Sequence, residues 1–98
     1  NLLDREQKQE LSKLPSDVDF YNFDGHYVLP GFIDGHVHVN QPGRTEWEGM
    51  ETASKAAAAG GITTLVDMPL NSSPVTITAE SLRIKRDSVQ SSLWVDVG

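Results

Sequence analysis

Cysteine is absent from this 98-residue chain. Disulfides and thiolate metal sites are therefore excluded, and nothing marks an oxidising compartment. No apolar run approaches the roughly 20 residues needed to span a bilayer. Residues 1–13 are charged and lack the apolar core of a secretory signal, so a cytoplasmic or organellar setting is expected. Basic residues are scarce, with 8 Lys and Arg against 14 Asp and Glu and a net charge of -6. That balance argues against nucleic acid or an anionic membrane as partner, since both reward clustered cations. The single basic cluster, Arg83, Lys85 and Arg86, falls among acidic and polar neighbours and reads as a solvated helix face. Asn71-Ser72-Ser73 is formally a glycosylation triplet, but nothing else suggests secretion. An initiator Met is also missing, and the chain reads as a piece of a longer one.

What is present is ordinary for a globular protein: 38% hydrophobic and 22% charged residues. Leu3, Leu11 and Leu14 fall near helical spacing ahead of Pro15, so residues 2–14 are either a helix or a long exposed loop. Val18, Phe20 and Tyr21 begin an extended segment. Asp24-Gly25 then signals a hairpin returning over 26–29, which leaves His26 as a surface residue. Pro30-Gly31 separates this segment from a strand over 32–39, apolar on both faces as in a parallel sheet covered on both sides.

Thr45 and Glu48 have the spacing of a capping box and predict a helix over 46–59. That helix is rich in Ala, ends at Gly60-Gly61, and offers Met50, Ala53, Ala56 and Ala57 as a smooth face. Trp47 is expected to pack at its start. A strand over 62–68, a loop over 69–75, a helix over 79–91 capped by Thr78 and a strand over 93–97 complete the pattern. Strand, helix, strand, helix, strand implies α/β architecture with parallel βαβ units. A closed barrel of such units takes about 250 residues, so three strands make only a portion of one.

His36-Val37-His38 carries the chemistry. Side chains two apart in a strand share a face, and two neutral imidazoles on a rigid strand form half a site for Zn²⁺ or a similar ion. The alternative is a pair of structural, hydrogen-bonded histidines. An apolar strand favours use or pairing of such residues over idleness. Asp34 lies on the same face and could accept a hydrogen bond that fixes a histidine tautomer.

Residues Pro30-Gly31-Phe32-Ile33-Asp34-Gly35-His36-Val37-His38 resemble the first barrel strand of the amidohydrolase superfamily, in which the His-x-His pair binds the more buried metal. Gly60-Gly61-Ile62-Thr63-Thr64 and Val66-Asp67-Met68-Pro69 resemble the second strand of its cyclic-amide branch, which holds dihydroorotases, hydantoinases and allantoinases. The stretches Asn40-Gln41-Pro42-Gly43-Arg44-Thr45-Glu46-Trp47-Glu48-Gly49 and Asp67-Met68-Pro69-Leu70-Asn71-Ser72 are similar to allantoinases in particular. The likeness is tight over 27–76 and loose elsewhere. It implies that residues 30–98 open a TIM-like (β/α)8 barrel, and that residues 1–29 belong to a small β-rich flanking domain.

The resemblance also implies one or two divalent metals, zinc foremost, with His36 and His38 as ligands. Allantoin is the implied substrate, its ring amide being opened to allantoate by a metal-activated hydroxide, and a homo-oligomer, foremost a tetramer, is the implied assembly. Dihydroorotases carry an arginine two residues after the second histidine, where it grips the substrate carboxylate. Here that residue is Asn40, which suits a substrate without a carboxylate. Asn40 and Asn71 are candidate substrate contacts, although Asn71 could instead bond its own loop backbone. Asp67 is read either as support behind a ligand or as an anchor for the loop over 69–74. Arg44 could reach substrate or pair with Glu46 or Glu48.

The family's bridging carboxylated lysine, two further histidines and essential aspartate have no counterpart here. Lys55 and Lys85 lie on predicted helices, and Asp96 sits in no motif, so the 98 residues alone are expected to show no turnover. The rival functions are a hydantoinase or dihydropyrimidinase, a dihydroorotase, and a non-catalytic barrel relative.

Overall fold

A computed structural model describes residues 5–98 of the chain. The chain divides into two units, one ending at Pro30 and the other running Gly31–Gly98. In the first, α1 (Arg5–Leu11) is the one regular element among the described residues. Leu3 lies outside the described residues, so the expected spacing is visible only in part. The turn at Asp24-Gly25 forms, with Gly25 at φ 83 and the His26 amide donating to Phe23 O at 2.9 Å. The strands expected on either side of it do not form, and no β-structure occurs among residues 5–30. The Asp24 amide is taken by Asn22 Oδ1 at 2.7 Å, a local bond that competes with a ladder, and a lone two-stranded hairpin is marginal in water. His26 is exposed, as read.

The second unit is the alternating α/β part. It consists of β1 (Phe32–Val37), α2 (Met50–Ala59), β2 (Ile62–Asp67), α3 (Ala79–Val89) and β3 (Asp96–Val97). The three strands are parallel in the order β1-β2-β3, as the β-branched runs and intervening helices require. The register sets Val37 opposite Asp67, and the Met68 amide continues the pairing to Val37 O at 2.8 Å. Val39, Met50 and Val89 form the core, with Val37, Ala53 and Val97 packed against it. Leu65 within β2 and Ala57 on α2 are buried as well. β1 is not covered on both faces within these residues, for Phe32 and Ile33 are 65% and 71% exposed.

Helix α3 starts as expected. Thr78 Oγ1 accepts from the Ser81 amide while Ser81 Oγ accepts from the Thr78 amide. Helix α2 does not. It begins at Met50 after Gly49, with no side-chain cap of its own; Thr45 lies in a turn ahead of it and Glu48 in irregular backbone. Gln41 replaces the capping box, its Oε1 accepting from the Met50 amide at 3.0 Å while its Nε2 donates to Ser88 O at 2.6 Å. The buried face of α2 is Met50, Ser54 and Ala57, whereas Ala56 is exposed. Ser54 Oγ donates to Met50 O and accepts from the Trp94 amide, which ties α2 to the approach to β3.

Candidate metal centre

β1 stops at Val37, so His36 is within the strand and His38 is the first residue past it. The two side chains turn to one face. Their Nε2 atoms lie 3.1 Å apart, with ring centroids 5.0 Å apart and planes inclined by 62°. Both rings are solvent-accessible. The far side of the His38 ring is held as well, with Nδ1 2.9 Å from Asn71 Oδ1. A side-chain carbonyl only accepts, so Nδ1 carries the proton and Nε2 presents its lone pair. Metal-ligating imidazoles are oriented in this way.

Asn71 is carried by the loop after β2, and that loop is pinned in two ways. Ser72, 2% exposed, donates from Oγ to Pro74 O at 3.1 Å. The Ser73 amide donates to Pro42 O at 2.8 Å, joining this loop to the one after β1. Gly43 lies where they touch, at φ 90, and a Cβ there would stand 2.5 Å from Ser73 O. Both the left-handed backbone and the space demand glycine.

Asn40 is 8% exposed. Its amide donates to Glu48 O and its carbonyl accepts from the Arg44 amide, both at 3.0 Å, so this residue closes the loop over 40–48. Arg44 pairs with neither Glu46 nor Glu48 among the described residues. Its guanidinium instead sits 5.2 Å from the centre of the Trp47 ring, and Trp47 is 67% exposed rather than packed under the helix. Asp34 Oδ1 accepts from the His36 backbone amide at 3.1 Å and steadies the strand locally. Asp67 Oδ1 accepts from the Val39 amide at 2.8 Å, and its other oxygen meets Lys85 Nζ at 2.5 Å.

The donors suit a first-row divalent cation. Two Zn–N bonds of about 2.0–2.1 Å at a tetrahedral angle put their nitrogens about 3.3 Å apart, close to the observed 3.1 Å, at which the two rings hydrogen-bond to each other. Among the described residues no further His, Cys, Asp or Glu makes a group of three with the pair. The pair by itself offers two nitrogen donors.

Residues 27–95 match the model of the Amidohydrolase family. The chain belongs to the amidohydrolase family. This amidohydrolase chain is 55% identical to probable allantoinase 2 of Dictyostelium discoideum over 85 residues, which cover 87% of the chain and 17% of that protein. It is 54% identical to an allantoinase of Streptomyces avermitilis over 87 residues, or 89% of the chain and 20% of that protein. An allantoinase of Arabidopsis thaliana is 58% identical over 71 residues, 72% of the chain and 14% of that protein. The chain thus spans about a fifth or less of the length of these curated relatives. No helix among the described residues is long and apolar enough to cross a membrane.

Two residues of this amidohydrolase portion have roles that short-range patterns do not show. Gln41 has its partners, Met50 and Ser88, far away in sequence. Lys85, expected on a solvated face with Arg83 and Arg86, is 9% exposed. Arg83 does fit that description, pairing with Glu80 and Asp87 at the surface. The signal for Lys85 lies in its spacing: with Ser81 and Val89 it forms the buried stripe of α3, and Asp67 at the end of β2 is the acid it meets.

Proposed function

We propose that the complete protein hydrolyses the cyclic amide of allantoin, giving allantoate, at a centre to which this chain contributes His36 and His38 as ligands of a divalent metal, zinc foremost. The observation that carries the reading is the convergence of the two Nε2 atoms at 3.1 Å, with His38 oriented by Asn71, in a stretch so similar to allantoinases. Held by His36 and His38, a divalent metal would make hydroxide available near neutral pH and would polarise a carbonyl. His36 and His38 hold the metal-facing nitrogens together. Asn71 keeps the His38 proton on Nδ1, and its own amide nitrogen is left to donate to a ring carbonyl or ureido group of the substrate. Asn40 keeps the loop over 40–48 folded at the mouth, and a neutral residue there suits a substrate lacking a carboxylate. Asp34 and Asp67 hold the strand and the segment after it, each through a backbone amide.

In this proposal residues 30–98 open a (β/α)8 barrel and residues 1–29 belong to its flanking domain. The bridging lysine, remaining histidines and proton-shuttling aspartate come from the rest of the protein, which assembles as a homo-oligomer. Assaying the complete protein on allantoin, hydantoin and dihydroorotate tests the substrate. Allantoin should be turned over with the highest kcat/KM, and preference for either other ring would refute the assignment.

A further inference from the structure

Asp67 and Lys85 form an ion pair unlike the others among the described residues. Their side chains are 2% and 11% exposed, whereas the surface pairs of Glu51 with Lys55 and of Glu80 with Arg83 are about half exposed or more. Neither Asp67 Oδ2 nor Lys85 Nζ has another partner among the described residues. The second oxygen of Asp67 accepts from the Val39 amide, and Val39 is 2% exposed. Three pieces of chain therefore meet at one carboxylate: the segment leaving β1, the end of β2 and the middle of α3.

The Val39 amide needs this acceptor. The β1–β2 ladder ends with Val37 opposite Asp67, so the backbone passes into the core without a strand partner, and a buried amide must find another. A carboxylate is a strong acceptor, but its burial is costly unless its charge is met. Lys85 meets it. We propose that Lys85 is a positioning residue for His38: it fixes the Asp67 carboxylate, which fixes the peptide unit joining His38 to Val39. Displacing that unit moves His38 Nε2 away from its 3.1 Å approach to His36 Nε2. This inference rests on the reading of the two histidines as metal ligands.

The test is zinc affinity of the complete protein, by competition with a chromophoric chelator, beside its thermal unfolding. Lys85→Met should weaken zinc binding by about tenfold or more, and Lys85→Arg, which restores the charge, should recover most of that loss. A purely structural pair would lower Tm and leave zinc affinity within about twofold of wild type, which would overturn the proposal. Lys85→Met strands a buried carboxylate and can fail to fold. The double variant Asp67→Asn with Lys85→Met buries no charge and loses the pair that aims the oxygen. It too should bind zinc more weakly, and unchanged affinity in it would equally overturn the proposal. His38→Ala separates the two readings. If it leaves zinc binding intact, the metal assignment itself fails. If it abolishes binding while the Lys85 variants bind normally, only the role of Lys85 is lost.

Discussion

Helix α3 begins on its own residues, Thr78 and Ser81 exchanging side-chain and backbone bonds three positions apart. Helix α2 begins on a residue nine positions upstream: Gln41 caps Met50 with one end of its amide and reaches Ser88 with the other. The first arrangement orders one helix end. The second orders an end of α2, an end of α3 and the loop that leaves the histidine pair, all at once. The start of α2 is thus tied to the candidate centre, while the start of α3 answers only to its neighbours.

Substitutions at the two starts should differ accordingly. The largest effect is expected for Gln41→Ala, which leaves the part-buried Met50 amide without its partner while the exposed Ser88 carbonyl turns to water, and should cost about 2 kcal/mol in urea unfolding of the complete protein. It should weaken zinc binding as well, because the loop after His38 loses its anchor. Thr78→Ala should cost about 1 kcal/mol and leave zinc binding untouched. Equal costs, or a zinc effect from Thr78→Ala, would break the contrast between the two starts.

The smallest effect belongs to Glu51, in the first turn of α2. Its pKa is held below the ordinary 4.5 by a hydrogen bond from Lys55 and by that residue's charge. A lowered folded-state pKa stabilises above the carboxylate range and is lost as pH falls through the lowered value. The side chain is exposed, so screening leaves little of this. Glu51→Gln should give no resolvable change in Tm at pH 7, and any small difference from wild type should vanish on acidification.

The same distinction explains what could be read in advance. β1, β2, α3 and the Thr78 cap follow from apolar and β-branched residues and short-range spacing, and the sequence pattern places them to within a few residues. Thr45 and Glu48 had the right spacing for a cap and lost to Gln41, whose advantage appears only once α3 is packed nearby. His36 and His38 were legible because strand alternation is a local rule. The Asn71 bond to His38 joins residues 33 positions apart, and the Asp67–Lys85 pair likewise depends on how a strand and a helix meet. Such links arise from tertiary proximity, which no short window of sequence contains.

The contact between Gly43 and Ser73 bears on how this region can change. A side chain at position 43 would collide with the backbone of the other loop, and the Ser73 amide is bonded to Pro42. An insertion or deletion in either loop must therefore be matched in the other, or the carrier of Asn71 slides off the imidazole. Anyone reshaping this region should exchange the two loops as a single cassette.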